Sequence, residues 1–121
     1  MSNELLRTII AAFLVIHGIG HSGGYWFFVK SWLSPALAAT PIRWLFVGVW
    51  LVAMVIYLTA GIALFQQHGE WRALAIVASI LSLIVSVLFI QGPALNAAVA
   101  DVVILVALLV LGWPSANTLG A

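Results

Sequence analysis

The chain has 121 residues, 65% hydrophobic and 6% charged, with a formal net charge of +1 and no cysteine. A water-soluble domain is roughly one-quarter charged, so a purely water-facing domain is excluded. So are a basic nucleic-acid surface and any disulfide, thiolate metal site or cysteine nucleophile. A spanning helix takes about 20 mostly apolar residues, so the length admits at most four or five spans, with no room for a separate soluble domain.

In chain order, residues 5 to 29 read as the first span. Glu4 and Arg7 mark its water-facing start, and Tyr25, Trp26, Lys30 and Trp32 its far end, where aromatic and basic side chains favour the headgroup level. Arg7 followed by Thr8 to Ile16 has the outline of a signal peptide. The apolar character resumes through Val29, however, and no clear A-x-A site precedes a polar region, so the reading is an uncleaved span. Ser31 to Pro41 contains Pro35 and reads as a short loop or interfacial turn. The second span covers 42 to 65, entered by Arg43 and Trp44, and Gln66-Gln67-His68-Gly69-Glu70 makes a tight polar loop. The third covers 71 to 90, with Arg72 at its mouth. Gln91-Gly92-Pro93 turns the chain, and the fourth span covers 94 to 113, closed by Pro114 and followed by a frayed tail. Runs of this length, continuously apolar, suit helices rather than the short alternating strands of a barrel. The expected fold is therefore all-α: one transmembrane domain over 1–121, an integral membrane four-helix bundle of up-down-up-down connectivity. Arg7 and Arg72 on one side balance Lys30 and Arg43 on the other, so the positive-inside rule assigns no orientation.

Ionisable residues inside spans are rare and face the bundle interior. Here they are His17, His21 and Asp101. At about 1.5 Å per residue, His21 lies roughly 12 Å below the exit of span one and Asp101 roughly 10 Å below the entry of span four. Adjacent spans would then let Asp101 reach His21. His17 is one turn deeper on the same face. Ser79, Ser82 and Ser86 share one face of span three, Trp50 and Tyr57 share one of span two, and Asn96 lies one to two turns above Asp101. The expected polar pocket combines His17, His21, Ser22 and Asp101 with Tyr57, Ser82 and Asn96.

Three readings of that pocket stand beside one another. A His–Asp contact can set the register of spans one and four. The same groups can bind a proton or ligand. Two histidines four apart with a carboxylate from another helix, His17, His21 and Asp101, can also ligate a transition metal. Both histidines on one helix face cannot clasp a single haem, although one histidine per haem or a homodimer evades that objection. The glycines Gly18, Gly20, Gly23 and Gly24, with G-x-x-x-G spacing at Gly20 and Gly24, predict a close helix contact and a kink near Gly23-Gly24. The match of Gly18, Gly20 and Gly23 to a dinucleotide fingerprint is rejected, because no strand precedes it.

The signature His17-Gly18-Ile19-Gly20-His21, followed by an aromatic run, resembles that of small uncharacterised bacterial membrane proteins with four helices and His-Gly-x-x-His in the first. This chain has more glycine and serine after the second histidine. The family has no established activity, so the resemblance lends no catalytic residues. The expectation is a small integral protein of a bacterial inner membrane whose partners are the lipid bilayer and either further copies of itself or a larger membrane complex. It acts by binding, without nucleic acid and without chemistry of its own. The alternative is a metal- or haem-binding oxidoreductase component or a proton-coupled carrier.

Overall fold

Ser2 starts the first helix. The structure, a computed structural model, describes residues 2–23, 41–88 and 93–119. Helix α1 spans Asn3–Gly20; Ser2 is extended and its Oγ accepts the Leu5 N–H at 3.2 Å. That cap, with Glu4 in the first turn, satisfies an otherwise orphaned donor and moves the helix start ahead of the expected Leu5.

Regular α1 then breaks at His21, and the cause is local competition for one carbonyl. His21 Nδ1 donates to the His17 carbonyl oxygen at 2.9 Å. The His21 backbone N–H, which that carbonyl would otherwise accept, bonds the Gly18 carbonyl at 2.9 Å instead. A side chain that takes the i−4 carbonyl weakens the helix ladder. Ser22 and Gly23 are helical again. The break therefore falls before the glycine pair where the kink was expected. Residues 24–40, which hold the end of the expected first span, Gly24, Lys30 and the aromatic anchors Tyr25, Trp26 and Trp32, lie outside the described residues.

Helix α2 spans Ile42–Phe65, with the bounds expected from the sequence. Helix α3 spans Trp71–Leu88; positions 89–92, the expected end of span three and its turn, lie outside the described residues. Helix α4 spans Pro93–Leu105 and widens into a π-helical turn over Val106–Val110. All regular elements among the described residues are helices, and α1, α2 and α3 are long and apolar enough to cross a membrane.

Packing is sequential: α1 lies on α2, α2 on α3 and α3 on α4. Small buried residues allow close approach, Ala53 and Ala60 on α2, Ala75 and Ala78 on α3. The inward stripe of α1 is Ala11, Leu14, Gly18 and His21, at helical spacing. Gly18 therefore meets α2: a Cβ built on it would lie 2.9 Å from the Tyr57 Cβ. Gly20 and Gly23 are off that stripe, with nothing near a built Cβ within 4 Å. Of the expected G-x-x-x-G pair, Gly20 makes no close contact and Gly24 lies outside the described residues; Gly18 and, across the interface, Gly61 make the close approach. Gly20 and Gly23 do not, because they point away from α2.

The tail is folded back rather than frayed. Gly112 takes a positive φ of 62°, and the short helix α5, Ala116–Leu119, brings Leu119 into full burial. Arg7 donates to the Leu119 carbonyl at 3.1 Å. Arg72 donates to the Leu108 carbonyl within the π-turn and to the Pro114 carbonyl at 3.4 Å. A π-turn leaves carbonyls without helical partners, and a guanidinium at the helix C-terminus satisfies them while opposing the dipole. Arg72→Ala is expected to lower stability by about 1.5–3 kcal/mol, the range for hydrogen bonds to a charged group. Thermal unfolding in mild detergent measures this, and protease cleavage of the tail should accelerate with it.

Candidate functional site

The interior holds a polar cluster between two apolar layers. Trp50, Val85 and Ala94 belong to the layer on one side; Ala60, Ala75, Ile104 and Leu108 belong to the layer on the other. Each helix supplies one turn of the cluster. On α1 the four-residue spacing of His17 and His21 brings the two imidazoles edge to face, 4.9 Å apart. On α2 Tyr57 projects inward one turn below Gly61. On α3 Ser79 and Ser82 share the buried face, and on α4 Asp101 is fully buried.

Asp101 is the hub. Its Oδ1 accepts from Tyr57 Oη at 2.5 Å and lies 3.0 Å from His17 Nε2. Its Oδ2 lies 2.5 Å from Ser82 Oγ. One carboxylate therefore bonds a side chain from each of the other three long helices. Ser82 Oγ also lies 2.7 Å from His21 Nε2, and Ser79 Oγ lies 2.7 Å from Tyr57 Oη and 2.8 Å from the Ala75 carbonyl. The rings enclose one another: His21 sits 4.6 Å from Trp50 and 5.4 Å from Tyr57, and His17 lies edge-on to Tyr57 at 4.7 Å. Phe13 stacks on His17 at 6.0 Å. The side chain of His17 keeps 11% exposure and that of Asp101 none.

Five of the residues expected from sequence meet here: His17, His21, Tyr57, Ser82 and Asp101. Ser22 and Asn96 do not; both are exposed. Ser22 follows the break in α1, one position past the inward stripe. Asn96 is five residues from Asp101, which places it on another face of α4. The direct imidazole partner of Asp101 is His17, not the expected His21, which reaches the carboxylate through Ser82. The depth estimate counted from Val29 along an unbroken helix, and the error is one turn, about 5.4 Å. Spacing places Ser79 and Trp50 on faces of their own helices; their contacts with Tyr57 and His21 are set by how the helices pack.

One ligand atom from each of His17, His21 and Asp101 lies within 4.8 Å of the others, a separation compatible with a metal ion. The bonds they make are nevertheless with one another and with Ser82, so an ion would have to displace the His17–Asp101 and His21–Ser82 hydrogen bonds. The rings of Phe13, Tyr57 and Trp50 pack against the imidazoles.

Outside the cluster the polarity is reversed. Ile16 on α1, Leu45 on α2, Ile84 on α3 and Val110 on α4 are 69%, 62%, 56% and 75% exposed. A water-soluble bundle does the opposite, burying such residues and exposing its charges. The class defined is an all-helical protein with a hydrogen-bonded ionisable centre and an apolar exterior. Comparison with protein families, with curated proteins and with solved structures finds no match to this chain.

Proposed function

We propose that the chain is a small integral membrane protein that acts by association, as a homo-oligomer or as an accessory subunit of a larger membrane complex. Its four apolar helices run up-down-up-down, and the cluster around Asp101 is its internal clasp. The observation that carries this reading is the inverted distribution of polarity among the described residues: hydrogen-bonded ionisable groups at the centre and large aliphatic side chains on the outer faces of the helices. In lipid such an exterior is solvated by acyl chains, and a central carboxylate is tolerated because its acceptors are filled from within. Helical spans fit a bacterial inner membrane, whereas outer-membrane spans are barrels.

Association is supported by the incomplete closure of the bundle. Among the described residues the backbones of α1 and α4 approach each other less closely than those of the sequential helix pairs. Between them runs an apolar groove lined by Ile10, Phe13, Leu14, Val103, Ile104 and Ala107. A closed four-helix bundle packs its first helix against its last, so this seam is where a further helix fits.

The chain has no cysteine, which makes single-cysteine crosslinking clean. Phe13→Cys and Val103→Cys flank the seam, and Ile80→Cys lies on the far helix. In lipid vesicles the first two are expected to form crosslinked dimers and Ile80→Cys is not. A monomer at every protein-to-lipid ratio, with no protein co-purifying, would remove the association reading.

A further inference from the structure

We infer that the centre of the bundle is a binding site for one proton, shared between His21 and Asp101 through the hydroxyl of Ser82. This goes beyond the association reading and does not depend on it.

The inference rests on donor and acceptor bookkeeping within the cluster. The His21 Nδ1 faces the His17 carbonyl oxygen at 2.9 Å. A carbonyl only accepts, so Nδ1 carries a hydrogen. A neutral His21 then has a bare Nε2, and Nε2 faces Ser82 Oγ at 2.7 Å. Ser82 has one hydrogen and two neighbours that can take it, since its Oγ is also 2.5 Å from Asp101 Oδ2. With Asp101 ionised and His21 neutral, that single hydrogen serves one contact. The other then sets two lone pairs against each other in a buried site, an unsatisfied arrangement that burial disfavours.

One added proton removes the conflict, and it does so in two ways. In the first, His21 is an imidazolium: Nε2–H donates to Ser82 Oγ, and the Ser82 hydroxyl donates to the Asp101 carboxylate. In the second, Asp101 is neutral: Oδ2–H donates to Ser82 Oγ, and the Ser82 hydroxyl donates to the bare Nε2 of His21. Both arrangements contain the same protons, fill the same hydrogen bonds and carry zero net charge. They interconvert when the Nε2 hydrogen passes to Ser82 Oγ while the Ser82 hydrogen passes to Asp101 Oδ2. The N–H and the serine O–H break as the new serine O–H and the carboxyl O–H form. No electron is transferred and no co-reactant enters. In both arrangements Oδ1 goes on accepting from Tyr57 and His17, so α1, α2 and α4 stay tied while the proton moves.

Both ends of the relay are buried, which favours the two arrangements of zero net charge over one that carries net charge. The Trp50 ring packs 4.6 Å from the His21 ring, and His21 is itself buried. Full burial of Asp101 disfavours separated charges. The edge of His17 that remains exposed is the cluster's one imidazole contact with its exterior. Loss of the shared proton leaves net charge at the centre and one contact unfilled, so proton occupancy is coupled to how firmly Ser82 on α3 holds α1 and α4.

The test is nitrogen and carbon magnetic resonance on the full-length protein in lipid vesicles, labelled at histidine and aspartate. In the wild type, His21 Nε2 is expected to resonate between the values of a bare and a protonated nitrogen, with the Asp101 carboxyl carbon correspondingly intermediate. Asp101→Asn presents an amide N–H₂ where Oδ2 was and freezes the second arrangement, so Nε2 is expected to move fully to the bare value in a folded protein. Ser82→Thr keeps a bridging hydroxyl and should retain the intermediate shift, whereas Ser82→Ala should lose it. A wild-type Nε2 already at the bare value, with Asp101 ionised and no response to Asp101→Asn, overturns the inference. A fully protonated Nε2 beside a fully ionised Asp101 also overturns it, since that is a fixed ion pair with nothing shared. Should Ser82→Ala fail to fold, the comparison of wild type, Asp101→Asn and Ser82→Thr decides between these outcomes.

Discussion

Asp101→Ala is expected to be the most damaging single substitution in this protein. The carboxylate bonds His17 on α1, Tyr57 on α2 and Ser82 on α3. Interhelical polar contacts in membranes are worth about 0.6 kcal/mol on average and up to about 1.7 kcal/mol, which puts the three together at about 2–5 kcal/mol. Alanine also leaves an imidazole, a phenol and a hydroxyl without their acceptor. Asp101→Asn keeps an acceptor for His17 and Tyr57 and offers a donor to Ser82, so its loss should stay below about 1.5 kcal/mol. Reversible unfolding in mixed micelles gives both numbers. If alanine and asparagine are equally mild, Asp101 is not the clasp. A second signature is non-additivity: His17→Ala in the Asp101→Ala background should cost far less than alone, because the shared bond is already gone.

The second large effect is expected at the α1–α2 interface. A Cβ on Gly61 would lie 2.6 Å from Val15 Cγ2 and 2.9 Å from the Ala11 carbonyl oxygen. The first contact is a side chain, but the second is backbone, so Gly61→Ala must push α1 away from α2. Overpacking of this kind costs about 1–3 kcal/mol, and Gly61→Val should exceed Gly61→Ala. Gly20→Ala is the control: nothing lies near its built Cβ within 4 Å, and alanine is the better helix former by about 1 kcal/mol. Gly20→Ala should therefore be neutral or stabilising. Equal destabilisation at Gly20 and Gly61 would contradict the packing described. Gly18→Ala strains the same interface against Tyr57, so combined with Gly61→Ala it should cost less than the sum of the two.

Much of the architecture was legible because lipid-compatible helices write long, continuous apolar runs. The bounds of α2 follow directly from the run between Pro41 and the polar loop at Gln66, and the expected helical character of the other spans follows for the same reason. Helical periodicity also selected the inward faces: Tyr57, Ser82 and the His17–His21 pair were each assigned to a stripe by spacing alone. What spacing could not supply was the registration of one helix against another. Asp101 was placed within one turn of its partner, and one turn is what separates His17 from His21.

The details that went unread share a cause: each depends on atoms distant in sequence or on a competition for one backbone group. Gly18, rather than Gly20, meets α2 because the stripe of Ala11 and Leu14 turns it there, and the Tyr57 it meets is 39 positions away along the chain. The break at His21 comes from its own imidazole taking the His17 carbonyl. The folded-back tail depends on guanidinium groups of Arg7 and Arg72 meeting carbonyls of Leu119, Leu108 and Pro114. Composition and periodicity by themselves determined an all-helical chain with apolar outer faces and a few inward polar groups, because backbone satisfaction and side-chain period are local properties. Which histidine meets the carboxylate, which serine bridges, and which glycine lets two helices touch were decided only by the tertiary structure, because hydrogen bonds a few ångströms long are sensitive to helix stagger that no single helix encodes.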